Sequence, residues 1–406
     1  MEQSSMEKNF KCINDLLPLE LIRSIFLRIP VKHLARAKCV SKLWNTLISD
    51  PSFTKSHLHH SLAPTHKYIL IENYHDASSV DLDALLVEDN DGVDEESLSL
   101  PFMKKPPSRF CFLGSCRGLV LLHREPQFLI LWNPLIDSSK RISYSHMVNA
   151  ARKDRDSFRS VNKVFSILDD ALLYGFGYDA SRDDYILVVA YKGKDSENHF
   201  DMCCLGSKSW INLDAALPKP MSWFDWTRHG LFCNGAIHWI NFYHGEEILL
   251  FDLKERTFSK ISLPEQLMWT RKSRLVLLGG SLAVYLYKQD KTEIWVMKEY
   301  KVQTSWTLYE IPLKLFKPLC LSGDGDIIIG SRYTSHDVMG FYIYNVSGEL
   351  LKPVQYLYVM HYHASYNVCT DSLMPIPNKI KEKKMKKDHR NHRQVKLGKR
   401  IRTDQM

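Results

Sequence analysis

Apolar positions follow two different rhythms along this chain. Near the N-terminus, Leu21, Ile22, Ile25, Phe26 and Ile29 recur at spacings of three and four, the pattern of an amphipathic α-helix. Leu17-Pro18 opens that helix, because a proline at the first helical position lacks only an N–H that would have no intrahelical partner. Pro30 stops it, since the residue before a proline is pushed out of the α region. Val31 to Lys38 gives a short second helix. Ser41 caps a third, carrying Leu43, Trp44, Leu47 and Ile48, until Asp50-Pro51 ends it.

Beyond about Lys67 the rhythm becomes that of β-structure. Short runs such as Leu119–Leu122, Ile186–Val189, Ile248–Phe251, Ile294–Met297, Ile327–Ile329 and Phe341–Tyr344 alternate with Gly, Asn, Asp and Ser turns. A weak repeat orders them. Gly235, Gly280 and Gly325 each precede a hydrophobic strand and lie 45 residues apart, the length of one four-stranded propeller blade. The expected fold is therefore mainly β with a small all-α N-terminal module: a β-propeller-like domain of about six or seven blades. The expected boundaries are a disordered N-terminus at 1–12, a helical module at 13–56, the β domain at 67–375 and a disordered tail at 378–406.

The helical module is unusually apolar. Nineteen of the 33 residues from Leu16 to Ile48 are hydrophobic, and they occupy more than one helix face: Leu17, Leu21 and Ile25, but also Leu19, Phe26 and Leu27. A unit of ~35–40 residues without disulfides or metal rarely stabilises itself. The surplus surface either packs on the rest of the chain or asks for a partner.

Charge changes the picture only at one end. The formal net charge is +8, but residues 378–406 alone carry +9, so the remaining 377 are close to neutral at −1. Lys379 to Lys387 holds six lysines, and a second basic cluster runs from Lys396 to Arg402. Such clusters suit a solubilising end, nonspecific nucleic-acid binding or nuclear import, with Lys383, Lys384, Lys386, Lys387, Lys399 and Arg400 as the nuclear-localisation candidates. No apolar run approaches ~18 residues and no secretory leader is visible, so no membrane partner is expected. The nine scattered cysteines read as reduced thiols.

Catalytic motifs are missing. Gly114-Ser115-Cys116-Arg117-Gly118 lacks the spacing of a nucleophile elbow, and neither a P-loop nor a full Gly-x-Gly-x-x-Gly occurs. An EF-hand register on Gly92 would put Val87 and Leu98 in ligand positions they cannot fill. His199 with Cys203-Cys204, the His57/His59/His60 group and His361/His363 lack a second pair at zinc spacing. No metal, cofactor or enzymatic activity is expected.

Leu17-Pro18-Leu19-Glu20-Leu21-Ile22, Ile29-Pro30-Val31-Lys32, Cys39-Val40-Ser41-Lys42 with Trp44, and Leu47-Ile48-Ser49-Asp50-Pro51 resemble an F-box of the plant type. Gly114–Leu119, Leu131-Trp132-Asn133-Pro134, Tyr174–Asp179, Asn234–Trp239 and Ile294–Tyr300 are similar to the plant F-box-associated, kelch-like domain. The double glycines of true kelch blades are reduced to Gly279-Gly280, so "propeller-like" describes the domain better than "kelch". The resemblance implies a non-catalytic substrate-recognition subunit of an SCF-type ubiquitin ligase. The F-box would dock on a Skp-type adaptor and, through it, a cullin, while the β domain would bind an unknown protein substrate. It further implies that Leu17, Pro18, Leu21, Ile25, Pro30, Leu34, Val40 and Trp44 form or support the adaptor interface. Location would be nucleus, cytoplasm or both.

Candidate substrate contacts are Trp223, Phe224, Trp226, Tyr243, His244, Tyr333 and His336, aromatic and histidine residues in or near predicted inter-strand turns. Two alternatives stay open: a propeller-fold enzyme, which needs paired carboxylates at a pocket, and a nucleic-acid binder acting through the tail, for which direct binding is the less favoured use of the charge.

Overall fold

The computed structural model describes residues 17–60, 67–72, 77–82, 84–86, 95–98, 100–101, 110–124, 128–143, 173–192, 197–216, 229–240, 247–267, 273–322, 325–332, 340–355 and 365–377. Four helices come first: α1 (Leu19–Phe26), α2 (Val31–Ala37), α3 (Lys42–Ser49) and α4 (Pro51–His60). Pro18 and Pro30 are the N-caps of α1 and α2. Pro18 thus sits one place before the first helical position expected of it. Helix α1 closes at Phe26, short of the stop expected at Pro30, because the carbonyls of Ile25 and Phe26 turn inward to accept the N–H groups of Arg28 and Ile29 at 3.0 and 3.1 Å. Asp50-Pro51 ends α3 and also starts α4: Asp50 Oδ1 accepts the Ser52 and Phe53 N–H groups at 3.0 and 2.9 Å. That is an N-cap, with proline in the first turn.

All six of the quoted apolar runs are strands. The first blade contains β1 (Lys67–Glu72), β2 (Ala77–Asp81) and β3 (Glu95–Leu98). The second contains β4 (Phe110–Cys116), β5 (Leu119–Arg124), β6 (Phe128–Asn133) and β7 (Ser138–Ser143). The third is β8 (Leu173–Asp179), β9 (Asp184–Lys192), β10 (Asn198–Cys204) and β11 (Ser209–Asn212). The fourth is β12 (His229–Cys233), β13 (Ala236–Ile240), β14 (Glu247–Asp252) and β15 (Thr257–Ser262). The fifth is β16 (Arg274–Leu278), β17 (Ser281–Tyr287), β18 (Thr292–Met297) and β19 (Trp306–Ile311). The sixth is β20 (Phe316–Leu321), β21 (Ile327–Arg332), β22 (Gly340–Asn345) and β23 (Leu350–Gln355).

The last strand, β24 (Ser365–Thr370), does not extend the sixth blade. It pairs antiparallel with β1, from Lys67↔Thr370 to Glu72↔Ser365, and becomes the inner strand of the first blade. The last strand of the β domain is thereby locked into one sheet with its first, and the ring is closed.

Among the described residues, burial links six blades into a ring. Each neighbouring pair of blades shares its own apolar cluster. Tyr68 and Leu70 meet Val120 and Trp132, and Leu131 meets Phe176 and Leu187. Val188 and Phe200 meet Trp239 and Phe251, while Leu250 meets Val284. Val296 meets Phe316 and Ile328, and Phe341 and Ile343 return to Ile69 and Ile71. Blades three and four also join edge to edge, His229↔Tyr174 and Gly230↔Gly175, in parallel. Glycine permits this approach: a Cβ on Gly230 would lie 2.5 Å from Ile237 Cγ2 and 2.6 Å from the Trp239 ring. The Trp239 indole N–H donates to the Tyr174 carbonyl across the seam at 3.0 Å.

The 45-residue repeat has a structural meaning. Gly235, Gly280 and Gly325 carry φ of +76°, +85° and +85°, each between the first and second strands of its blade. Only glycine adopts that conformation without strain, and the two-residue turns Asn234-Gly235 and Gly279-Gly280 require it.

His238, wholly buried, shows how tightly such a blade is specified. Its Nδ1–H donates to the Leu231 carbonyl at 3.2 Å, and its Nε2 accepts from the Tyr300 hydroxyl at 2.9 Å, so the neutral tautomer is fixed. Burial pushes its pKa down from 6.5 to about 4. Above pH 6.5 the imidazole is neutral in folded and unfolded chains alike. As pH falls from 6.5 toward 4, only the unfolded chain takes up the proton, and stability is lost. At pH 5 this amounts to about 2 kcal/mol for His238. Urea unfolding at pH 7 and pH 5 is expected to show that loss in the wild type beyond any loss in His238→Gln; parallel curves would refute it.

Candidate functional site

The helical module has a core of its own, with one face on the β domain and another turned to solvent. Ile22 and Phe26, four residues apart on α1, join Val31 and Leu34 of α2, Ile48 of α3 and Phe53 of α4 in the interior. Trp44 meets the Phe26 ring edge-on at 4.9 Å, and the Ser41 hydroxyl accepts the Trp44 N–H at 3.1 Å to start α3. His57 Nε2 is held by the Ile29 carbonyl at 3.0 Å.

Leu373, Leu135 and Ile136 of the β domain complete this core. Around them, Lys32 pairs with Asp81 at 3.3 Å, Lys55 with Asp183, and Arg117 meets His59 at 2.6 Å. Arg117 also stacks its guanidinium 3.8 Å from the centre of the Tyr178 ring, which rigidifies the contact. All these β-domain residues lie at hairpin turns or strand ends on one face of the ring. Part of the surplus apolar surface is therefore absorbed within the chain.

The rest is not. Leu19, Leu21, Ile25 and Val40 remain 47%, 51%, 46% and 64% exposed, which is unusual for large aliphatic side chains gathered in a 22-residue stretch. Leu21 and Ile25 are one helical turn apart and so share one face of α1. Pro18 and Pro30 are exposed as well, while Leu17 and Trp44 are half-buried. Leu34 is wholly buried and can act only by holding α2 in place. The expected adaptor set thus divides into a surface of Pro18, Leu21, Ile25, Pro30 and Val40 and a support of Leu17, Leu34 and Trp44. Leu19 belongs with the surface on exposure, a point the helical period alone did not decide. From Leu17 to His60 the module carries seven Lys/Arg against two Asp/Glu, with Arg28, Arg36 and Lys42 exposed. A partner with an acidic rim would meet complementary potential.

The substrate candidates Trp223, Phe224, Trp226, Tyr243, His244, Tyr333 and His336 lie outside the described residues, as do Lys383, Lys384, Lys386, Lys387, Lys399 and Arg400. Ile240 and Glu247, at the join of β13 and β14, and Arg332 and Gly340, at the join of β21 and β22, lie at the strand ends opposite the turns that meet the helices.

His361 and His363 lie outside the described residues; His57, His59, His199 and Cys203 make contacts inside the fold. His199 Nδ1 pairs with Asp214 at 2.8 Å. Burial pushes the Cys116 and Cys203 thiols up to about 12, so both stay protonated at neutral pH and make poor nucleophiles. Among the described residues no three His, Cys, Asp or Glu side chains converge as a metal site, and no helix is long and apolar enough to cross a membrane.

Comparison with known proteins covers both parts of the chain. The F-box domain profile matches residues 15–56, and the F-box associated beta propeller domain profile matches residues 68–329. F-box protein CPR1 of Arabidopsis thaliana is 28% identical over 317 residues, 72% of this chain and 71% of that protein. An Arabidopsis thaliana F-box/kelch-repeat protein is 29% identical over 339 residues, 77% of this chain and 84% of its own. Among solved structures, TolB from Acinetobacter baumannii aligns at TM-score 0.45 and 9% identity, covering 78% of this chain and 70% of that one.

Proposed function

This chain belongs to the F-box proteins that carry an F-box associated beta propeller domain, and on that premise we propose that it is the substrate-recognition subunit of a Skp-cullin-F-box ubiquitin ligase. The observation that carries the reading is the solvent-facing set of Leu21, Ile25 and Val40 on a module whose opposite side is already packed on the ring. A surface that the chain itself cannot cover fits a dedicated protein partner, here a Skp-type adaptor linked to a cullin.

The division of labour follows from the layout. The helices occupy the face of the ring that holds Arg117, Asp183 and Leu373. Among the described residues, none of the four helices packs on the opposite face, where the protein to be modified would bind. Holding target and conjugating machinery on one rigid body raises their effective concentration without any bond chemistry by this chain.

The test is reconstitution of the full chain with a purified Skp-type adaptor, read by gel filtration. Co-elution as a one-to-one complex is expected. A well-folded chain that elutes apart from the adaptor at micromolar concentration would sink the proposal.

A further inference from the structure

The six inner strands surround a central channel, and its mouth on the face away from the helices has an unusual charge. Phe112, Phe176, His229, Leu275, Lys317 and Tyr366, from six different strands, border a cavity of about 190 Å³. Arg274 and Tyr287 join His229 and Lys317 in the adjoining recess. His229, Arg274 and Lys317 stand at or next to the first residues of β12, β16 and β20, so the fold gathers them from distant parts of the sequence.

Two of these three groups are cations. The Lys317 ammonium donates to the Tyr366 carbonyl at 3.0 Å, a dipole and not a counter-charge. The Arg274 guanidinium lies 5.0 Å from the centre of the Tyr287 ring. His229 donates Nε2–H to the Leu113 carbonyl at 2.8 Å, and burial holds its pKa at about 4, so it is neutral. Among the described residues bordering either space there is no Asp or Glu. Burial and the like charge of Arg274 push Lys317 down to about 8, so it remains mostly charged at neutral pH. Two cations kept together in a recessed, aromatic-walled pocket with no carboxylate among its described lining repel one another. An anion placed between them would turn that repulsion into two charge-assisted hydrogen bonds.

We propose that this channel mouth is a binding site for a small anionic group, a phosphate or carboxylate, gripped by Lys317 and Arg274. The group can arrive on a free small molecule or on a side chain of the bound target. The second source rests on the ligase reading; the site itself does not.

The experiment is calorimetric titration of the full chain with inorganic phosphate and, separately, with N-acetyl-phosphoserine amide. Binding of at least one probe is expected. It should weaken at least tenfold in Lys317→Gln and in Arg274→Gln and persist in Lys317→Arg. Phosphate binding as tightly as the phosphoserine probe assigns a free anion, and preference for phosphoserine assigns a target side chain. No heat with either probe, or equal binding by wild type and both Gln variants with unchanged melting curves, overturns the site. Adaptor co-elution, measured on the same variants, should not change, so a failure here is separable from a failure of the ligase assignment.

Discussion

Changing Leu21 and Ile25 together to aspartate is expected to weaken adaptor binding at least 100-fold while leaving the fold of the chain intact. Both side chains are about half exposed and contribute little to the helical core. In a complex each would bury its remaining exposed half against the partner, worth roughly 0.7–1.5 kcal/mol apiece. At 1.4 kcal/mol per factor of ten, losing both costs about one to two decades of affinity, and two desolvated carboxylates bring the loss past 100-fold. Surface changes away from packed features alter stability by only about 0.5 kcal/mol, so the melting temperature should hardly move. Leu34→Ala is the contrasting variant. Leu34 is wholly buried, and truncation there costs about 2–5 kcal/mol of stability, so any lost binding would come with lost structure. Undiminished binding by the double aspartate variant would place the adaptor elsewhere.

Replacing Asn133 with leucine is expected to destabilise the chain by about 4 kcal/mol and to loosen the helices from the ring. Asn133 is completely buried at the end of β6. Its amide donates to the carbonyls of Ser372 and Met374 at 3.0 and 2.9 Å, and its own oxygen accepts the Leu135 N–H at 3.1 Å. Leucine, of similar size, would strand all three buried backbone groups, each costing about 1–3 kcal/mol. The two carbonyls flank Leu373, whose side chain enters the helical core, as does Leu135. One side chain therefore ties the segment after β24 to the second blade and to the docking module together. Urea unfolding and limited proteolysis between the helices and the ring would report both effects. A loss under 1 kcal/mol would show that the segment from Asp371 to Pro377 is held by other contacts.

What could be read in advance was local. Period-three-and-four apolar spacing marked the helices, because a helix buries one stripe. Runs such as Ile248–Phe251 marked strands, because blades buried on both faces carry continuous apolar stretches. The spacing of Gly235, Gly280 and Gly325 marked the blade length, because blades four, five and six each turn on a positive-φ glycine between their first two strands. The helix ends were harder. Which carbonyl turns inward near Ile25 and Phe26 depends on how the next helix packs, and Pro30 alone did not decide it.

The sequence by itself determined the two-part plan, the repeating turn-and-strand unit and the basic tail, since each depends on neighbours within a few dozen residues. Only the tertiary structure decided that the described strands form six blades, that β24 closes the first of them, and which apolar residues of the helical module stay in water. It alone brings Arg274 and Lys317 to one channel mouth. Ring closure and burial are set by contacts between residues hundreds of positions apart, and a side chain's exposure is a property of what the whole chain places against it.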